Sequence, residues 1–304
     1  MMAYNNAART HIRTDAVTSI VENALIANPE EPTPVRLQRS RGRAEVGFHS
    51  NGSTCLAHLH QEGCCKVRLP KVYGAAKEAV FLNTAGGMTG GDEISYEASV
   101  GEAARAVFTT QACERIYRAR DGEALVTNTL RVGANAHADW LPQETILFNG
   151  GRLRRRFEVD LASDAGLLAV EALILGREAM GETVTSGSFS DSWRIRRDGN
   201  LLFADEMRTP PAIAEQLTGK ATLAGARAFA TVVAIGGETA GQLAAVRALE
   251  PAAVSGAELG VSEVVDGLLV ARLASGGGQT LRKALANVIS TLRDGDAMPR
   301  VWNT

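Results

Sequence analysis

The feature that most constrains this chain is a two-residue rhythm that recurs in short runs. Ile94, Tyr96, Ala98 and Val100 fall on one side of an extended segment, with Ser95, Glu97 and Ser99 on the other. That is the pattern of a strand with one buried face. After a turn at Gly101-Glu102, Arg105, Val107 and Thr109 alternate with Ala104, Ala106 and Phe108, and a strand pair is the simplest account. Further short runs of this kind are expected at 79–83, 125–132, 154–161, 193–196, 201–204, 229–235 and 268–273. Asp121-Gly122, Asp198-Gly199 and Asp266-Gly267 punctuate them. Asp-Gly suits hairpins because both residues tolerate positive φ. Two helices stand out. Leu281, Leu285, Val288, Ile289 and Leu292 recur at helical spacing after a flexible approach at Gly276–Gly278, and 242–249 is a weaker candidate. Evenly spaced short strands favour a mainly β architecture over a parallel α/β fold. No internal repeat of fixed period is legible. Residues 1–34, polar and ending in a proline-rich stretch, read as a mobile tail, and 35–304 as a single β-rich domain.

A net charge of −2 creates no long-range field toward nucleic acid or an anionic membrane, and neither is an expected partner. There is no signal-peptide core and no run of the roughly 20 apolar residues that a spanning helix needs. The four cysteines lack the spacing of a disulfide framework. The expected location is the cytoplasm, where thiols stay reduced.

The most unusual segment is Asn83-Thr-Ala-Gly-Gly-Met-Thr-Gly-Gly-Asp92. A Walker loop would need Gly-Lys-Ser/Thr after its glycines, and Asp92 stands where that cation belongs. The dinucleotide fingerprint fails too, since a strand and not a helix follows. Gly90-Gly91-Asp92-Glu93 matches the start of the diguanylate cyclase signature, but Ile94 replaces its phenylalanine. A structural turn built on Gly86, Gly87, Gly90 and Gly91 remains the plain reading.

The ordered set of motifs carries more. The glycine loop is followed by FTTQACERIYRA at 108–119, WLPQETILF at 140–148, LGREAMGE at 175–182 and the ending MPRVWNT at 298–304. In this order they resemble the UreD (UreH) family of urease accessory proteins, from about Arg43 to Thr304. The resemblance implies a β-rich fold with strands stacked in a helical layout. It implies a scaffold that binds UreF, reaches the GTPase UreG through it, docks on apo-urease and assists GTP-dependent nickel delivery. No tightly bound cofactor is expected, only transient nickel. Ala85 and Met88 depart from the serine and leucine commoner in the family's loop.

Within that resemblance, Asp92, Glu144, Glu171 and Asp205 are the expected acids of a transient nickel path. Each has a structural alternative. Asp92 suits a turn aspartate, and Glu171, inside the apolar run 167–175, suits an ion pair, for which Arg177 is the nearest candidate in sequence. Thr110, Gln111 and Tyr117 are expected on a partner surface, or else in hydrogen bonds across a sheet. Arg155 belongs to the basic run Arg152, Arg154, Arg155 and Arg156, a solvated face or a surface for an acidic partner. Trp302 is either an interface anchor or a plug for the chain's own core. His58 and His60, two apart, are expected to face solvent on an edge strand. No Gly-x-Ser-x-Gly elbow or Ser-His-Asp order is present, so the expectation is a protein that is not an enzyme. The alternative is a β-rich hydrolase pairing Asp92 with Glu144 as acid and base.

Overall fold

The computed structural model describes residues 38–303, apart from 73, 210, 212, 221, 237–238 and 250–254 and the side chains of 215 and 216. The expected N-terminal tail lies outside the described residues. From Arg39 onward the chain forms one compact unit.

The strands are β1 (Arg41–Ser50), β2 (Thr54–Gly63), β3 (Cys65–Arg68), β4 (Lys77–Asn83), β5 (Glu93–Val100), β6 (Arg105–Thr110), β7 (Glu114–Ile116), β8 (Ala124–Val132), β9 (His137–Leu141), β10 (Thr145–Leu147), β11 (Arg152–Leu161), β12 (Gly166–Leu175), β13 (Ser188–Arg197), β14 (Asn200–Arg208), β15 (Ala228–Ile235), β16 (Ala257–Val265) and β17 (Leu268–Ser275). The helices are α1 (Ile213–Leu217), α2 (Thr239–Arg247) and α3 (Gly278–Leu292). A seven-stranded sheet runs in the order β14-β13-β11-β8-β5-β1-β2. A ten-stranded sheet runs β16-β17-β15-β12-β9-β6-β4-β3, with β10 and β7 stacked beside the end of β12.

The centre of both sheets is parallel and wound as a coil. Glu93 lies beside Leu125, Leu125 beside Arg154, and Arg154 beside Ser190 in the first sheet. In the second, Ala106 lies beside Lys77 and Ala138, and Ala138 beside Leu167. Each turn of the coil therefore sends one strand to each sheet. This is the stacked, helical layout that the resemblance implies. It also corrects the expected pairing of β5 with β6. The two do not form a hairpin, because Ala103 at φ 55° helps turn the chain out of one sheet and into the other. Asp121-Gly122 likewise joins β7 to β8 in different stacks. The other two Asp-Gly pairs do close antiparallel hairpins, β13–β14 and β16–β17. At the first, both Asp198 (φ 49°) and Gly199 (φ 77°) are left-handed, as a tight hairpin turn requires. A structural repeat thus exists without a sequence repeat of fixed period, since the connections between strands differ in length.

Burial follows from this layering. Strand β11 alternates strictly between buried and exposed residues, with one face to the core and one to water. Strand β15 is buried along its whole length, because the first sheet covers one face and the helices the other. One core fills the space between the sheets, with Phe81, Phe108, Trp140, Phe157 and Trp193 at its centre. A second lies between β12, β15 and β17 and the inner face of α3, whose Leu281, Leu285, Val288, Ile289 and Leu292 are all buried. The glycine that opens α3 allows close approach: a Cβ on Gly278 would come within 2.6 Å of Ile174. Helix α1 has no counterpart in the expected elements. No helix among the described residues is long and apolar enough to cross a membrane.

The chain end locks onto the second core. Trp302 is buried, its indole N–H donates to the Leu141 carbonyl at 3.0 Å, and the Arg282 guanidinium sits 5.0 Å over its ring. Arg293, at the far end of α3, donates to Asp139 of β9 at 2.9 Å. Truncating Trp302 removes a large buried surface and a satisfied donor. Trp302→Ala is therefore expected to lower stability by about 3–5 kcal/mol, read from chemical denaturation, and a change below about 1 kcal/mol would show that the chain end is not part of the core.

Candidate functional site

Three polar residues at inward positions of neighbouring strands of the first sheet put chemistry between the two sheets. Strand β11 turns Leu153, Arg155, Phe157 and Val159 inward, and Arg152, Arg154 and Arg156 to water. Strand β13 turns Phe189, Asp191, Trp193 and Ile195 inward, and β8 turns Val126, Asn128 and Leu130 inward. Glu171 meets them from β12 in the opposite sheet. Arg155, expected on a surface, is therefore an interior residue, and only its neighbours in the basic run are solvated.

Its guanidinium is fully engaged. Nε and Nη2 donate to the two oxygens of Asp191, each at 2.9 Å. Nη1 lies 2.5 Å from Glu171 Oε2 and donates to Thr145 Oγ1 at 3.2 Å. The other Glu171 oxygen accepts from the Trp140 indole at 3.1 Å and from Asn128 Nδ2 at 3.3 Å. Burial opposes the charge on Arg155, but Asp191 and Glu171 outweigh it and raise the guanidinium above its ordinary value. Burial pushes the Glu171 carboxyl up, and Arg155 opposes that rise. The partner of Glu171 is thus Arg155. Arg177 pairs with Glu182 instead, at 2.9 Å.

Beside this group lies an interior cavity of about 40 Å³, lined among others by Tyr96, Thr110, Glu114, Asn128, Arg155 and Glu171. The buried Asn128 Oδ1 makes no hydrogen bond there. Tyr96, Thr110 and Glu114 also line a hollow of about 240 Å³ next to the glycine loop. Arg155 is also a wall residue of an open hollow of about 620 Å³ on the outer face of the first sheet, with Arg154, Arg156 and Ser190. The cavity therefore shares three of these wall residues with the hollow beside the glycine loop and one, Arg155, with the outer hollow.

The glycine loop is a turn that bridges to β7. Met88 N–H donates to the Arg115 carbonyl and its own carbonyl accepts from Tyr117 N–H, each at 2.7 Å. Gly87, at φ 145°, leaves no room for a side chain, since a Cβ there would lie 2.3 Å from the Tyr117 ring. A Cβ on Gly90 would lie 2.0 Å from the Asp121 carbonyl. Asp92 is buried and accepts the N–H groups of Ser40 and Thr89, each at 2.8 Å. It has the geometry of a turn aspartate.

The remaining expected residues are dispersed. Glu144 is buried and pairs with Arg282 at 2.8 Å. Its second oxygen has no hydrogen-bond partner. With Cys113, Gln111 and Tyr117 it lines a wide groove of about 1070 Å³. Asp205 lies within β14, which runs past the expected strand 201–204, and pairs with Arg272 of β17 at 2.8 Å. Thr110 accepts Gln143 N–H at 2.8 Å and donates to the Ala112 carbonyl at 3.2 Å. Gln111 and Tyr117 are exposed, as a partner surface requires, whereas Arg155 and Trp302 are buried in the chain's own interior. Asp92 and Glu144 line no described hollow in common, so the acid–base pairing of the hydrolase reading finds no geometric support. His58 and His60 are exposed on the edge strand β2, as expected. Burial pushes the Cys65 and Cys113 thiols up to about 12, so both stay protonated at neutral pH and are poor metal ligands. Among the described residues no three His, Cys, Asp or Glu side chains converge as a metal cage.

Asn128, Asp191 and Glu114 were absent from the expected set. Parity along β8 and β13 was the available signal for the first two. Removing Arg155 would strand two buried carboxylates. Arg155→Met is expected to cost about 3–5 kcal/mol in an equilibrium denaturation experiment, and wild-type stability would show that the two acids are not buried as described.

The fold and the site now meet the comparison with known proteins. The family model for the UreD urease accessory protein matches residues 40–303. A urease accessory protein UreD of Rhizobium leguminosarum bv. viciae is 48% identical over 269 residues, covering 88% of this chain and 97% of its own length. That of Chelativorans sp. (strain BNC1) is 45% identical over 275 residues, covering 90% and 98%. That of Agrobacterium fabrum is 45% identical over 271 residues, covering 89% and 93%. The chain belongs to the UreD family of urease accessory proteins.

Proposed function

We propose that this protein is a scaffold without catalytic turnover. In this reading it binds a UreF-type protein, reaches a UreG-type GTPase through it, and docks with them on apo-urease in the cytoplasm. It then helps pass Ni²⁺, as cargo, to the urease active site through its interior. Family membership supports the urease part of this reading. The observation that carries the interior route is the cavity between the sheets, which has Glu114, Arg155 and Glu171 in its wall and shares Tyr96, Thr110 and Glu114 with the hollow beside the glycine loop. An apolar core has no structural need of such a seam, because buried polar groups cost free energy unless they are satisfied.

Of the four acids expected on the path, Glu171 is the one that lines this cavity. Asp92, Glu144 and Asp205 have other partners and are not needed for the route. Arg155 sets a condition on it. A divalent ion at Glu171 would meet the guanidinium's positive charge in a poorly screened interior. Passage therefore requires Arg155 to leave Glu171 and rely on Asp191 alone. Oxygen ligands hold Ni²⁺ less tightly than imidazole or thiolate does, which suits transfer rather than storage. The exposed Gln111 and Tyr117, on the rim of the wide groove, are the expected partner contacts that remain available.

Glu171→Gln keeps the size of the side chain and leaves the Arg155–Asp191 pair in place. It is expected to lower urease activation in cells several-fold while pull-down of the UreF-type partner stays intact. Loss of pull-down together with loss of folding would assign Glu171 a structural role only. Unchanged activation would reject the interior route.

A further inference from the structure

Most buried acids among the described residues sit at ion-pair distance from a cation; Glu78, Asp92 and Glu114 do not. Glu171 and Asp191 share Arg155, Glu144 has Arg282, and Asp205 has Arg272. Asp92 accepts two backbone N–H groups. Glu114, at the start of β7, is held by an amide and a backbone N–H and lies in the wall of a hollow. Asn83 Nδ2 reaches its two oxygens at 3.2 Å each, and the Arg115 N–H reaches one at 3.1 Å. No Lys, Arg or His among the described residues forms an ion pair with it. Burial is the largest influence on this carboxyl and pushes it up to about 7. Its place is also distinctive, because it is a wall residue of both the hollow beside the glycine loop and the interior cavity.

We propose that Glu114 is the carboxylate that admits the cation: Ni²⁺ binds it through oxygen in the hollow beside the glycine loop, at the threshold of the cavity. This inference rests on the reading that nickel enters the interior. The charge of Arg115 acts on Glu114 but does not contact it, and a covered carboxylate without a contact ion pair gains more from an arriving cation than one already paired. Its other contacts are one amide and one backbone N–H, which leave lone pairs on both oxygens. Arg155 borders the same cavity and repels a second positive charge, so the ion is held at Glu114 until the Arg155 contacts rearrange. Admission and onward passage are thus separate steps with separate residues.

The test is Ni²⁺ binding by the full-length chain without a histidine tag, in competition with a chromophoric chelator. It is made in a His58→Ala, His60→Ala background, because two imidazoles on an exposed strand chelate nickel by themselves. Glu114→Gln is expected to weaken Ni²⁺ binding at least about tenfold, while Glu144→Gln, whose carboxylate has Arg282, leaves it unchanged. Should Glu114→Gln fail to fold, Asn83→Ala frees the same carboxylate and is expected to retain or strengthen binding. Wild-type Ni²⁺ affinity in Glu114→Gln, lost affinity in Asn83→Ala, or no Ni²⁺ binding by the parent chain overturns the assignment. Urease activation in cells separates the two claims. Lost Ni²⁺ binding with normal activation supports Glu114 as the ligand and rejects the nickel route. Retained binding with lost activation overturns Glu114 as the ligand and leaves the route standing.

Discussion

A single guanidinium placed between two β-sheets sets the terms for the rest of this structure. Arg155 enters from β11, takes Asp191 from the neighbouring β13 and Glu171 from β12 across the core. A slip of one residue in β11 would turn Arg155 to solvent and Leu153 and Phe157 with it, so the ion group and the apolar pattern specify the same register. Breaking such a group by removing one member is costly, yet replacing all of it by apolar side chains is often neutral or favourable. Stability alone therefore does not explain why three ionisable residues stand where leucine and valine would pack. Fixing the register of β11 is one reason for them, and the proposed passage of a cation is a second.

The coil supplies the geometry for this. Each turn delivers one strand to each sheet, so residues far apart in the chain face each other across a narrow gap. The end of each turn also adds a short strand, β7 and then β10, beside β12. Glu114 and Thr145 come from these short strands, and the glycine loop bridges onto the same stack at Met88. On the far side of the second sheet, α3 and the chain end cover β15 and β17. That cover leaves the polar seam between the sheets, with open hollows beside it.

Much of this was legible from the chain alone. The period of two marked most strands, and helical spacing marked α3. Two of three Asp-Gly pairs marked true hairpins. Strand partners were not legible, because parallel pairing across a coil is non-local. Beside β5 stand β1 and β8, which come from other turns. The orientation of Arg155 was available from parity, since it shares an inward face with Leu153 and Phe157, but four clustered arginines suggested a solvated surface. Glu171 was recognisable as a buried acid, while its true partner, 16 positions earlier and in the other sheet, was not. Trp302 was readable only as large and near the end. The core that receives it is built from β9 and α3, far from it in sequence or folded back against it. Glu114 gave no signal, as its place in the wall of two hollows depends on which elements the fold stacks around β7.

The central claim is that the polar gap between the sheets receives a divalent ion. Anomalous X-ray scattering at the nickel edge, from crystals of the full chain grown or soaked with Ni²⁺, tests it directly. The account predicts a peak between the two sheets, against Glu114 and the cavity that Glu171 lines. Nickel bound only at His58 and His60 on the exposed edge, with none between the sheets, would contradict it.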